Sequence, residues 1–194
     1  MGEKSLQKKR YILETARTVF MEKGYKNVTM KDVVEACNIS RGGLYLYFGS
    51  TGEIFMEVLK METEEADDVF SDRITEDATI ADILTLFLKE QKKELLRKKN
   101  NLTVATYEFY FGETIPKKNN ILKQQFDAAV KILEKLIEAG VTNGEFICDD
   151  CLVTARNIMF VLEGLKIAAH TIGVTTDMVD EELILILKGL NIEE

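Results

Sequence analysis

The sequence predicts an all-α fold, and three observations lead there. One proline and 12 glycines in 194 residues leave little turn material for many short strands. Leu, Glu, Lys, Ala and Ile are plentiful, and apolar residues recur at helical spacing. With 46% hydrophobic and 30% charged residues, a chain of this size buries roughly 70% of its unfolded surface and needs neither disulfides nor a structural metal.

The first helix is predicted from about Leu6 to Lys23, because Ile12, Leu13, Ala16, Val19 and Phe20 fall on one side of a 3.6-residue repeat and Lys23-Gly24 supplies a stop. Thr29-Met30-Lys31-Asp32 has the form of a capping box, so a second helix starts at Met30. Its apolar side is Met30, Val33, Val34 and Cys37. Asn38-Ile39-Ser40 then makes a tight turn, with Asn38 suited to a left-handed conformation and Ser40 to capping a third helix over Arg41 to Phe48.

That third helix is chemically unusual. Leu44 and Phe48 face inward, and Gly42, Gly43 and Leu46 lie opposite. Adjacent glycines cost about 1 kcal/mol each in a helix interior. Close approach of the backbone to a grooved partner offsets that cost, with Ser40 and Arg41 at the helix start and Tyr45 and Tyr47 on its flanks. A helix-turn-helix accounts for the whole pattern: the second helix crosses the nucleic-acid backbone and the third enters the major groove. The other reading is an ordinary three-helix packing with a poorly formed last helix.

Charge points the same way. Residues 1–50 hold nine Lys and Arg against five acids, and the remainder holds 16 against 28 within a total of -8. A basic end on an acidic chain can meet phosphates while the rest points away, although Lys8-Lys9-Arg10 also reads as a solvated helix start.

Spaced motifs agree in order and distance: Ile12-x-x-Thr15-Ala16-x-x-Val19-Phe20-x-x-Lys23-Gly24-Tyr25, Val28-Thr29-Met30-x-Asp32-Val33, and Ile39-Ser40-Arg41-Gly42-Gly43-Leu44-Tyr45-x-Tyr47-Phe48. Over residues 8–60 the chain resembles the DNA-binding domain of the TetR (tetracycline repressor) family. The resemblance implies a cytoplasmic, homodimeric transcription regulator, usually a repressor released by a small molecule. It implies that Thr29 caps and touches a phosphate, that Ser40, Arg41, Gly42 and Gly43 form the base-reading start of the recognition helix, and that Tyr45 and Tyr47 contact bases or phosphate. Many members carry a lysine at the start of the fourth helix, where this chain has Thr51. Phosphate contact is then expected from the Thr51 hydroxyl and backbone N–H groups, helped by Lys8, Lys9, Lys26 or Lys31. Residues 1–50 are assigned to a helix-turn-helix DNA-binding domain, and residues 51–194 to a helical effector-binding and dimerisation domain.

The body reads as further helices. A fourth runs from Glu53 towards Val69-Phe70, a fifth is marked by Ile80, Leu84, Phe87, Leu88 and Leu95, and a sixth spans Leu102 to Phe111. A seventh covers Ile121 to Ala139 and is stopped by Gly140. Ile158 to Leu162 and Leu183 to Leu187 are apolar on every side, so the eighth and ninth helices need partners all round. A symmetric four-helix contact with a second copy supplies them, with Val161, Leu162, Leu165, Ala168, Leu183 and Leu185 in the interface. Burial within one subunit is the other reading.

Phe87, Tyr107, Tyr110, Phe111, Phe126, Met159 and Phe160 are candidates to line a site for a small apolar or aromatic effector, with Glu163 as a polar anchor. Core packing accounts for the same pattern.

Other functions fit poorly. The most apolar window, Leu152 to Ile172, contains Arg156, Glu163, Lys166 and His170 and does not span a membrane. Three cysteines suit a reducing cytoplasm. Cys148-x-x-Cys151 lacks the other two zinc ligands, since the one histidine, His170, is distant in sequence. No nucleophile elbow, P-loop or dinucleotide-binding glycine pattern occurs, so neither an enzyme nor a bound cofactor is expected. The competing function is a helical ligand-binding or scaffold protein that has lost specific DNA binding, motivated by Thr51.

Overall fold

The computed structural model describes residues 2–66, 77–97 and 101–190. Among the described residues nine α-helices follow in order: α1 (Glu3–Lys23), α2 (Met30–Cys37), α3 (Arg41–Tyr45), α4 (Thr51–Ala66), α5 (Ile80–Leu96), α6 (Thr103–Gly112), α7 (Ile121–Thr142), α8 (Cys151–Thr171) and α9 (Thr176–Gly189). Among the described residues there is no strand.

Two compact units result. The first comprises Met1–Val69 with Lys99–Ile121, the second Phe70–Lys98 with Leu122–Glu194. The first core therefore continues past the expected division at residue 50, because α4 and α6 help to close it. Ile12, Ala16 and Phe20 of α1 are fully buried with Ile54, Phe55 and Val58 of α4. Phe109 of α6 joins them, with its ring 4.9 Å from Tyr25 and 5.2 Å from Phe55. Lys9 to Glu57 and Arg17 to Glu62 pair α1 with α4.

The second core is built from Leu84 and Leu88 of α5, Leu133 and Ile137 of α7, Ile158 and Leu162 of α8 and Val179 of α9. Three of its helices, α5, α8 and α9, start at side-chain caps, as residues that compete poorly inside helices do well at their ends. Thr79 and Asp82 form a capping box, Asp150 accepts from Val153 N–H, and Thr175 accepts from Met178 N–H.

Three boundaries differ from expectation. The third helix ends at Tyr45, and the chain then tightens, Tyr47 N–H donating to Leu44 C=O at 2.9 Å. The inward spacing of Leu44 and Phe48 survives without a full helix, and both are buried. The fourth helix begins at Thr51 rather than Glu53, because Ser50 Oγ caps it by accepting from Glu53 N–H at 3.1 Å; its expected end at Val69-Phe70 lies outside the described residues. The seventh helix continues through Gly140. That glycine serves packing, not termination: a Cβ there would stand 2.2 Å from the Phe146 ring. Gly140→Ala is therefore expected to destabilise by about 1 to 3 kcal/mol through overpacking, visible as a lower denaturation midpoint.

Candidate nucleic-acid interface

The turn between α2 and α3 is set by local chemistry. Thr29 Oγ1 accepts from Asp32 N–H while the Asp32 carboxylate accepts from Thr29 N–H at 2.8 Å. Lys23 also reaches Asp32, at 2.5 Å, and Lys23 and Thr29 together hold this carboxyl well below the usual carboxylate range. Asn38 adopts φ 50°, ψ 46° at the end of α2, a conformation that asparagine tolerates better than most residues. Ser40 Oγ then accepts from Gly43 N–H at 3.1 Å and starts α3.

These caps leave α3 with one buried line and one open one. Leu44 is fully buried, whereas an added Cβ at Gly42 would meet nothing within 4 Å. The Arg41 guanidinium lies over the Tyr45 ring, 5.4 Å from its centre, which favours a planar cation held out from the helix start. Thr29, Met30, Lys31, Val34, Arg41 and Tyr45 line an open groove of ≈ 440 Å³. Its floor is apolar from Met30 and Val34, and its rim carries Lys31 and Arg41. Lys31 lies 3.6 Å from Glu35 on the exposed side of α2.

The remaining candidates divide. Lys8 is exposed, and its Nζ is 4.0 Å from where a Gly43 Cβ would stand. Lys9 instead turns to Glu57 at 2.7 Å and over the Phe48 ring. The Tyr47 hydroxyl accepts from Ser5 Oγ at 3.4 Å. Thr51 acts on the Tyr25 phenol, drawing its pKa down against the stronger effects of burial and Glu113.

No sequence signal marks the two carboxylates of the α6 region that hold the turn after α1. Glu108 accepts from Lys26 N–H at 3.0 Å, and Glu113 accepts from the Tyr25 hydroxyl at 2.8 Å. Burial and Glu113 push the Tyr25 phenol up to about 12. The fold thus keeps this proton more tightly than the unfolded chain, so the stabilisation is complete below the ordinary value of 10.0 and is lost as pH rises from there to about 12. Denaturant titrations across that window are expected to show a steeper loss for the native chain than for Tyr25→Phe.

The proposed effector residues are shared between the two units. Tyr107 and Phe111 stack in the first unit, 6.0 Å apart, and Tyr110 lies against Phe109. Phe126 and Phe160 pair in the second, 5.1 Å apart. Phe87 is half-buried there and Met159 buried, while Phe111 is 77% exposed. Glu163 pairs with Lys166 at 2.7 Å.

The interface candidates also separate. Leu162 and Leu183 are buried in the second unit's own core, so its packing already uses them. Val161, Leu165 and Ala168 are half-buried and Leu185 is exposed. Exposed apolar residues instead recur every seven positions, Val153, Phe160 and Ile167 on α8 and Met178 and Leu185 on α9. No described helix is long and apolar enough to cross a membrane.

A model of bacterial regulatory proteins of the tetR family matches residues 12–58, and one of a tetracyclin repressor-like C-terminal domain matches residues 83–180. The chain is 32% identical to the HTH-type transcriptional regulator YfiR of Bacillus subtilis over 136 residues, 70% of this chain and 66% of that protein. It is 23% identical to the HTH-type transcriptional regulator QacR of Staphylococcus aureus, over 82% of this chain and 84% of that one. A TetR transcription regulator from Haloarcula marismortui has the same fold at TM-score 0.81 and 17% identity, over 95% of this chain and 97% of that one. FadR from Bacillus subtilis, in a structure with stearoyl-CoA, matches at TM-score 0.73 and 17% identity, over 93% and 98%.

Proposed function

Because the chain belongs to the tetR family of bacterial regulatory proteins, we propose that it is a cytoplasmic, homodimeric repressor that leaves a nearly palindromic operator when a small apolar or aromatic effector binds. The observation that carries this reading is α3: a short capped helix with an open glycine front, Arg41 held out over Tyr45, and a cationic rim beside it. Thr29, Lys31, Ser40, Arg41, Gly42, Gly43 and Tyr45 supply the DNA face, and Tyr47 and Thr51 stand behind it. Phosphate contacts set register and orientation, and base edges set sequence.

The dimer forms through the exposed stripes of α8 and α9, placing two reading heads on half-sites about 34 to 36 Å apart. The effector binds in the second unit near Phe87, Phe126 and Met159, where aromatic and thioether side chains suit an apolar molecule. FadR's complex with stearoyl-CoA makes a long acyl compound a reasonable first probe. Such a molecule acts by preferring one arrangement of the heads, and operator DNA weakens its binding by the same factor. Binding alone performs this work, without a catalytic step.

The test is selection from a random duplex library, followed by affinity measurements at two salt concentrations. A selected palindrome whose affinity falls with salt supports the repressor; failure to select any sequence favours a ligand-binding or scaffold protein. On the selected site, Arg41→Ala is expected to cost about 1 to 3 kcal/mol and relax one base position, whereas Lys8→Ala weakens all sequences nearly alike. Competition binding against single-base variants distinguishes the two.

A further inference from the structure

Leu46 directly follows α3 and, at 82%, is more exposed than any other large apolar side chain among the described residues. Its position is fixed by its neighbours: Leu44, two residues earlier, is fully buried, which turns Leu46 to the opposite side. At about 100° per residue, Leu46 lies about 40° round the helix from Gly42. The line from Gly42 to Leu46 is therefore the outermost line of this segment. Gly42 places nothing in front of the backbone, so a surface that approaches α3 meets the Leu46 isobutyl group next.

What surrounds this tip identifies its partner. Arg41 and Lys31 rim the adjacent groove, and Lys8 Nζ stands 4.0 Å from the Gly43 Cβ position. An apolar tip on a head that also carries these cations fits a polyanion with an apolar group recessed between its phosphates. The major groove of duplex DNA offers one such group, the C5 methyl of thymine. Cytosine carries only hydrogen at C5, so the same side chain would find no methyl to pack against.

We propose that Leu46 is a specificity-determining residue that packs against a thymine methyl in each operator half-site. This rests on the operator-binding function proposed above. It assigns base reading to a side chain without hydrogen-bonding groups, beyond the helix start where Arg41 works.

The experiment uses the full chain and the operator obtained by library selection, with each thymine replaced in turn by deoxyuridine. That replacement removes one methyl and keeps every hydrogen-bonding group. At one thymine per half-site the native protein is expected to lose about fourfold in affinity, the equivalent of about 0.8 kcal/mol for one buried carbon group. Leu46→Ala is expected to lose nothing at that thymine and to follow the native profile at all others. Leu46→Met, which keeps an apolar tip, is expected to retain the sensitivity. Circular dichroism of both variants is expected to be unchanged, since the side chain lies outside the core. Coincident deoxyuridine profiles for the native chain and Leu46→Ala would overturn the assignment while leaving operator binding intact. Selection of no sequence at all would overturn both, and the two failures are thereby distinct.

Discussion

Gly42→Leu is expected to abolish specific operator binding while leaving the fold at least as stable as before. Space in front of Gly42 is open, so the new side chain meets no clash within the protein. Leucine also favours a helix over glycine by up to about 1 kcal/mol, and the melting temperature is expected to hold or rise. Hydrogen bonds to bases and phosphates form only near 3 Å, and a leucine on this face holds the backbone several ångströms away. Affinity should then fall by more than about a hundredfold, since several contacts fail together. Gly43→Leu is a less clean probe, because its Cβ would stand 3.1 Å from Ser40 Oγ and disturb the cap. Gel-shift titration beside a thermal melt checks the prediction. A stable Gly42→Leu protein with undiminished affinity would mean that another face meets the DNA.

Ile167→Asp combined with Leu185→Asp is expected to convert the proposed dimer into a 22.0 kDa monomer. Both side chains are exposed, Leu185 at 62%, so neither change burdens the protomer's own core. In a twofold contact each substitution occurs twice, and four carboxylates would meet in an apolar seam where unpaired charges are very costly. Sedimentation reads the mass directly. Affinity for the palindrome is expected to fall towards that of a single head on a half-site. A double variant that still sediments as a dimer would place the interface elsewhere.

The chemistry of the helix ends around the α2–α3 turn was the most legible part of the sequence. Thr29 with Asp32, Asn38 and Ser40 each act through groups within four residues, and the structure has all of them in the expected roles. Longer-range packing was not legible. Gly140 reads locally as a stop, and only Phe146, brought against it by the fold, turns it into a packing residue. Leu162 and Leu183 belong to runs that are apolar all round, and periodicity cannot say which members face inward when every position is apolar. The contacts of Glu108 and Glu113 join residues about 80 positions apart, and no local pattern announces such pairs.

The way the two units interleave along the chain bears on how regulators of this kind can be recombined. The first unit draws Lys99–Ile121 from beyond the first segment of the second, and Phe109 supplies a ring to its aromatic cluster. A fusion that transplants residues 1–66 onto a foreign body would leave Phe20, Tyr25 and Phe55 without that ring, and the Lys26 N–H and Tyr25 hydroxyl without their carboxylates. The DNA-reading part is therefore not a detachable cassette. A chimera that preserves it needs three crossovers, so that α6 travels with the head it completes.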